Sequence, residues 1–145
     1  MTGRVPSYGI KDYDLAYFDR SDLSYEAEDM VIRRVANAFE EPLRSMVEVR
    51  NQARVHLWFE AKFGEPYEPL RRSSEALERF TSATFAIGVR LDADDRFHIE
   101  APFGLADLFA LRIRPNPSRH TPHFRRTAAA VLRRWPELAI EAEPT

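Results

Sequence analysis

Two aspartates one residue apart, Asp12 and Asp14, are the side chains in this 145-residue chain whose type and spacing most directly suggest chemistry. Successive side chains of a β-strand alternate faces, so the pair points the same way, roughly 7 Å apart. Like charges held on one face repel, and the arrangement persists most readily where a divalent cation sits between them. Mg²⁺ prefers hard oxygen ligands, takes one or two carboxylates, and completes its octahedron with water and substrate phosphates. After the pair, Ala16 and Phe18 continue one face while Leu15 and Tyr17 line the other. This pattern predicts a strand over about Asp12–Phe18, buried on both sides, with its acidic end at an opening. The plainer reading is a strand entered through a polar turn, with both carboxylates solvated.

The elements that must hold such a pair follow in order. Ser24 reads as a helix N-cap, and Glu26, Glu28 and Asp29 suit the positive end of the helix dipole. Ala27, Val31, Val35 and Ala38 then recur at helical spacing to about Glu40, and Pro42 ends the run. Met46–Val49 is a short strand with Val47 and Val49 on one face and Glu48 on the other. Asn51 caps a second helix carrying Val55, Trp58 and Phe59, and Arg50, Gln52, Arg54 and His56 cluster at that junction. A loop at Gly64–Pro69 and a short helix from Ser73 or Ser74 to Thr81 come next. A strand is expected over Thr84–Leu91, returning through Asp92–Asp95 as a hairpin partner over Arg96–Ala101. Helices around Leu105–Leu111 and Thr121–Arg134 complete an α/β or α+β domain built on a small mixed sheet.

Composition narrows the function classes. The length fits one domain, residues 1–145, able to bury about two-thirds of its unfolded surface. A net charge of −2 gives no general affinity for nucleic-acid backbones or anionic membranes. No apolar run approaches the ~20 residues of a membrane span, and the N-terminus lacks a signal-peptide core. Without cysteine there is no disulfide framework, thiolate nucleophile or thiolate zinc site, and a cytoplasmic location is expected. Two lysines, Lys11 and Lys62, stand against nineteen arginines. That bias suits phosphate recognition, but codon composition produces it too.

Four segments together resemble a known family: Gly9–Asp14 running to Phe18-Asp19, Glu48–Trp58, Ile87–Leu91, and Ala101–Phe109. They look like a family of small bacterial nucleotidyltransferase-like proteins within the polymerase-beta-type superfamily, over about Ser7 to Trp135. The segment Asn51–Trp58 is its most specific part. The resemblance implies metal-dependent transfer of a nucleoside monophosphate from an NTP to an acceptor. It implies that Asp12 and Asp14 hold Mg²⁺ or Mn²⁺, with Glu48 as the third carboxylate unless Glu48 pairs with an arginine. Lys11, Arg50, Asn51 and Arg54 then fall to the nucleotide, the cations clamping its triphosphate. The acceptor is open, and the Gly64–Pro69 loop and the last helix are the expected acceptor surface.

The resemblance also has a gap. The superfamily pattern begins with a Gly-Gly or Gly-Ser turn opening a helix upstream of the aspartates, whose backbone N–H groups cradle the triphosphate. Here eleven residues precede Asp12, and neither Gly3 nor Gly9 stands in such a turn. The chain is therefore expected to be short at its N-terminus, with weakened triphosphate binding. One sheet face would be left uncovered, favouring a homodimer or protein partner. A non-catalytic nucleotide- or protein-binding descendant of the same fold is the second reading. A haloacid-dehalogenase-type phosphatase fits poorly, because Ile10-Lys11 precedes the pair and Leu15-Ala16 follows it. The histidines His56, His98, His120 and His123 carry no assigned role.

Overall fold

A computed structural model describes residues 3–141, which pack as two compact units, residues 10–73 and residues 3–9 with 74–141. Helices and short strands mix in an α+β fold. Among the described residues the strands form three two-stranded sheets, two parallel and one antiparallel, in place of one small mixed sheet.

The unit of residues 10–73 is a strand–helix–strand arrangement. Strand β1 (Tyr13–Tyr17) runs parallel to β2 (Val47–Asn51), in the register Tyr13 to Val47, Asp14 to Glu48, and on to Tyr17 with Asn51. Helix α1 (Tyr25–Ala36) makes the crossover that a parallel pair requires. It starts where Ser24 accepts a hydrogen bond from the Ala27 N–H, as its sequence dictates. A short helix α2 (Leu43–Met46) leads into β2, a 3₁₀ segment Gln52–Leu57 leaves it, and helix α3 (Phe59–Phe63) follows. Gly64 closes α3 in the left-handed conformation, φ 70°. Val49, Ala53, Val55 and Leu70 are buried here. The expectation that β1 is buried on both faces is not met, because Leu15 is 41% exposed. Its cause is topological: β2 is the one strand beside β1 among the described residues, and α1 lies against β2.

The other unit centres on Ile113, Phe124, Ala128 and Val131, with Phe85, Leu132, Trp135 and Leu138 packed around them. Antiparallel strands β3 (Gly88–Leu91) and β4 (Phe97–Glu100) form a hairpin. Helix α4 (Ala106–Phe109), strand β5 (Arg112–Ile113), helix α5 (His123–Leu132) and strand β6 (Ala139–Ile140) complete it. The strand expected from Thr84 begins only at Gly88. Residues Ala83–Phe85 coil into a 3₁₀ turn, where the Thr84 hydroxyl donates to the Arg112 carbonyl and accepts from the Arg114 N–H. Gly9 belongs to this unit by close approach. At φ 72°, a Cβ there would stand 2.7 Å from the Trp135 ring, and Arg134 donates to its carbonyl.

Candidate functional site

Strand β2 alternates Val47, Glu48, Val49, Arg50, Asn51, so the sequence itself separates two faces. Parallel register partners share a face, which sets Glu48 beside Asp14 and Arg50 beside Ala16. Asp12, two residues before Asp14, stands close enough to act on its charge. The Asp14 carboxyl is raised above its ordinary value, first by burial and then by the charges of Asp12 and Glu48. Lys11 and Arg50 pull it partly back. Lys11 Nζ bonds Asp12 Oδ2 at 2.9 Å, and Arg50 Nη1 donates to the Val49 carbonyl. One end of the β1–β2 pair thus carries three carboxylates with two cations.

Sharing a face is not the same as closing on a point. Among the described residues, no three His, Cys, Asp or Glu side chains are gathered tightly enough to hold a metal ion. The expected convergence of Asp12, Asp14 and Glu48 on one metal site is therefore not met in the side chains, although the backbone register sets Asp14 beside Glu48. Their mutual repulsion, with Asp12 tied to Lys11, is the physical reason. As chemistry the set remains suited to a hard divalent cation, since every donor is a carboxylate oxygen.

The opposite face is a lock. The Asn51 side chain is almost fully buried. Its Oδ1 accepts from the Asp19 N–H at 3.0 Å and the Ala53 N–H at 3.1 Å, and its amide nitrogen donates to the Asp19 carbonyl at 2.8 Å. Glu28 of α1, also buried, accepts the Asn51 N–H at 2.8 Å with one oxygen and ion-pairs Arg54 with the other. Arg54 Nε donates to the Leu23 carbonyl at 2.7 Å, and its guanidinium lies 6.0 Å from the Tyr25 ring centre. Asn51 and Arg54, both expected on the nucleotide, are thus committed to the scaffold. They join the end of β1, the start of α1 and the end of β2. Asn51 caps its helix as expected and has two further bonds that sequence reasoning did not find.

Glu28 is the residue that sequence reasoning missed. In the sequence it stands as one of three acids at a helix start. Yet Glu28, Val31 and Val35 share the i, i+3, i+7 stripe that faces the sheet. A carboxylate on an apolar stripe calls for a buried cation, and Arg54 supplies it. His56 keeps a buried Nδ1 without a hydrogen-bond partner. His98 Nε2 lies 2.7 Å from Asp92, whose carboxyl it holds below the usual range.

The loop expected at the acceptor surface sits beside an aromatic cluster. The Phe59 ring centre lies 4.7 Å from that of Phe63 and 4.5 Å from that of Tyr67, both pairs tilted, and Lys62 Nζ lies 5.5 Å from the Trp58 ring centre. No helix among the described residues is long and apolar enough to cross a membrane.

No curated protein matches the chain in sequence. A solved NMR structure, described as revealing a CCA-adding enzyme head domain, shares the fold. It aligns with a TM-score of 0.68 at 21% identity, over 92% of this chain and 69% of its own. The model of a nucleotidyltransferase family matches residues 1–140. A match of that extent, over a carboxylate-bearing parallel strand pair, settles the relationship: the chain belongs to the nucleotidyltransferase family.

Proposed function

We propose that the chain transfers a nucleoside monophosphate from an NTP to an acceptor, using a divalent cation held by Asp12, Asp14 and Glu48. The observation that carries this reading is the raised Asp14 carboxyl, desolvated and pressed by two neighbouring carboxylates on one face. A bound cation would relieve that repulsion. Mg²⁺ or Mn²⁺ would supply charge neutralisation for the transferring phosphoryl group. Lys11 and Arg50 act on the charge of Asp14, and their nearness supports assigning them to orient the phosphates. Asn51 and Arg54 act from behind, fixing β2 so that Glu48 stays opposite Asp14.

Calorimetry of each NTP with and without Mg²⁺, on the wild-type chain and an Asp12→Ala, Asp14→Ala variant, tests the reading. Binding that requires both the metal and the aspartates is expected. Metal-independent binding, or binding unaffected by the double substitution, would overturn it. The second reading, a nucleotide- or protein-binding module without turnover, draws on the open spacing of the carboxylates and the inward commitment of Arg54. NTP binding without product in the presence of any acceptor tried would favour it.

A further inference from the structure

In the β3–β4 hairpin every residue of β4 is exposed, Phe97 at 73% and Ile99 at 58%. An isolated two-stranded hairpin is marginal in water, and an edge strand is a template for another strand. The outer edge of β4 has no strand beside it among the described residues.

Hydrogen-bond parity says which groups that edge offers. The Asp92 N–H donates to the Arg96 carbonyl across the turn, at 3.0 Å. In an antiparallel pair, hydrogen-bonded and non-hydrogen-bonded positions alternate. With Arg90 opposite His98 and Leu91 opposite Phe97, residues 98 and 100 therefore turn their backbone groups inward to β3. Phe97 and Ile99 turn theirs outward.

We infer that this edge pairs with β4 of a second copy, antiparallel about a two-fold axis through His98. The sequence Arg96-Phe97-His98-Ile99-Glu100 is self-complementary in that register. Phe97 falls opposite the partner's Ile99, twice, which matches the outward N–H and C=O groups and joins them by four hydrogen bonds. Arg96 falls opposite the partner's Glu100 at both ends, opposite charges on one face. His98 meets the partner's His98 at a non-hydrogen-bonded position. A one-residue shift would set inward-turned backbone groups against outward ones and apolar side chains against charged ones. A two-residue shift keeps the hydrogen bonds but loses both Arg–Glu pairs. The product is a closed, isologous dimer with a four-stranded sheet.

Sedimentation of the full chain across a wide concentration range tests this, with circular dichroism as a check on folding. The wild type should be a dimer. Arg96→Glu and Glu100→Arg should each weaken it at least tenfold, and the double swap should restore it. His98→Cys gives an independent reading in a chain with no other cysteine. Cross-strand cysteines at a non-hydrogen-bonded position lie within disulfide reach, so mild oxidation should yield a covalent dimer. A wild type that stays monomeric overturns the inference. So does a dimer indifferent to the charge reversals, a double swap that fails to rescue, or a His98→Cys chain that does not cross-link.

Discussion

The two faces of the β1–β2 pair are built from the same ten residues and behave as opposites. On one, Asp14 and Glu48 stand abreast with Asp12 nearby, and their charges work against each other. On the other, Asn51 is bonded on both its oxygen and its nitrogen, with Glu28 and Arg54 buried behind it. The first face sets like charges against each other, and the second ties the strand ends together. Strand alternation lets one pair of strands do both without compromise, since neither face shares a side chain with the other.

Breaking the lock should have the largest effect. Glu28→Ala leaves the Arg54 guanidinium buried without its carboxylate, so unfolding stability should fall by about 3–5 kcal/mol in urea titrations. Asn51→Ala, which removes the side-chain bonds to Asp19 and Ala53, should cost about 2–3 kcal/mol in the same measurement. Asp14→Asn, on the other face, should stay within about 1 kcal/mol of the wild type or exceed it, while abolishing metal-dependent NTP binding. A loss of stability at Asp14 as large as that at Glu28 would erase the contrast between the faces.

The smallest effect is one of pH. Because the folded Asp14 carboxyl is raised, it binds its proton more tightly folded than unfolded. Its contribution to stability is complete below the ordinary aspartate range and is lost as pH rises through the folded value. The stability difference between Asp14→Asn and the wild type should therefore favour the variant more at pH 7 than at pH 4. The reverse trend would show that Asp14 is stabilised as an anion.

How much of this the sequence disclosed depends on the range over which each residue acts. That Asp14 and Glu48 lie abreast was legible because alternation along each strand is local and the parallel register adds only the pairing. The Ser24 and Asn51 caps were legible because each bonds an N–H two or three residues away. The Arg54–Glu28 pair was not legible because the two lie 26 residues apart, Glu28 on a helix whose rotation against β2 no local pattern specifies. Asp19 escaped for the same reason, 32 residues from Asn51. The strand expected at Thr84 failed because a side-chain hydroxyl satisfied two backbone groups from 28 and 30 residues away, which propensity does not register.

One atom in the lock has a consequence for motion. Asn51 Oδ1 accepts two backbone N–H groups at once, those of Asp19 and Ala53, from segments on either side of α1. Neither amide loses its protection alone when that oxygen swings away. The two should exchange with deuterium at a common rate set by a single opening, so that the exit from β1 and the exit from β2 loosen as one event.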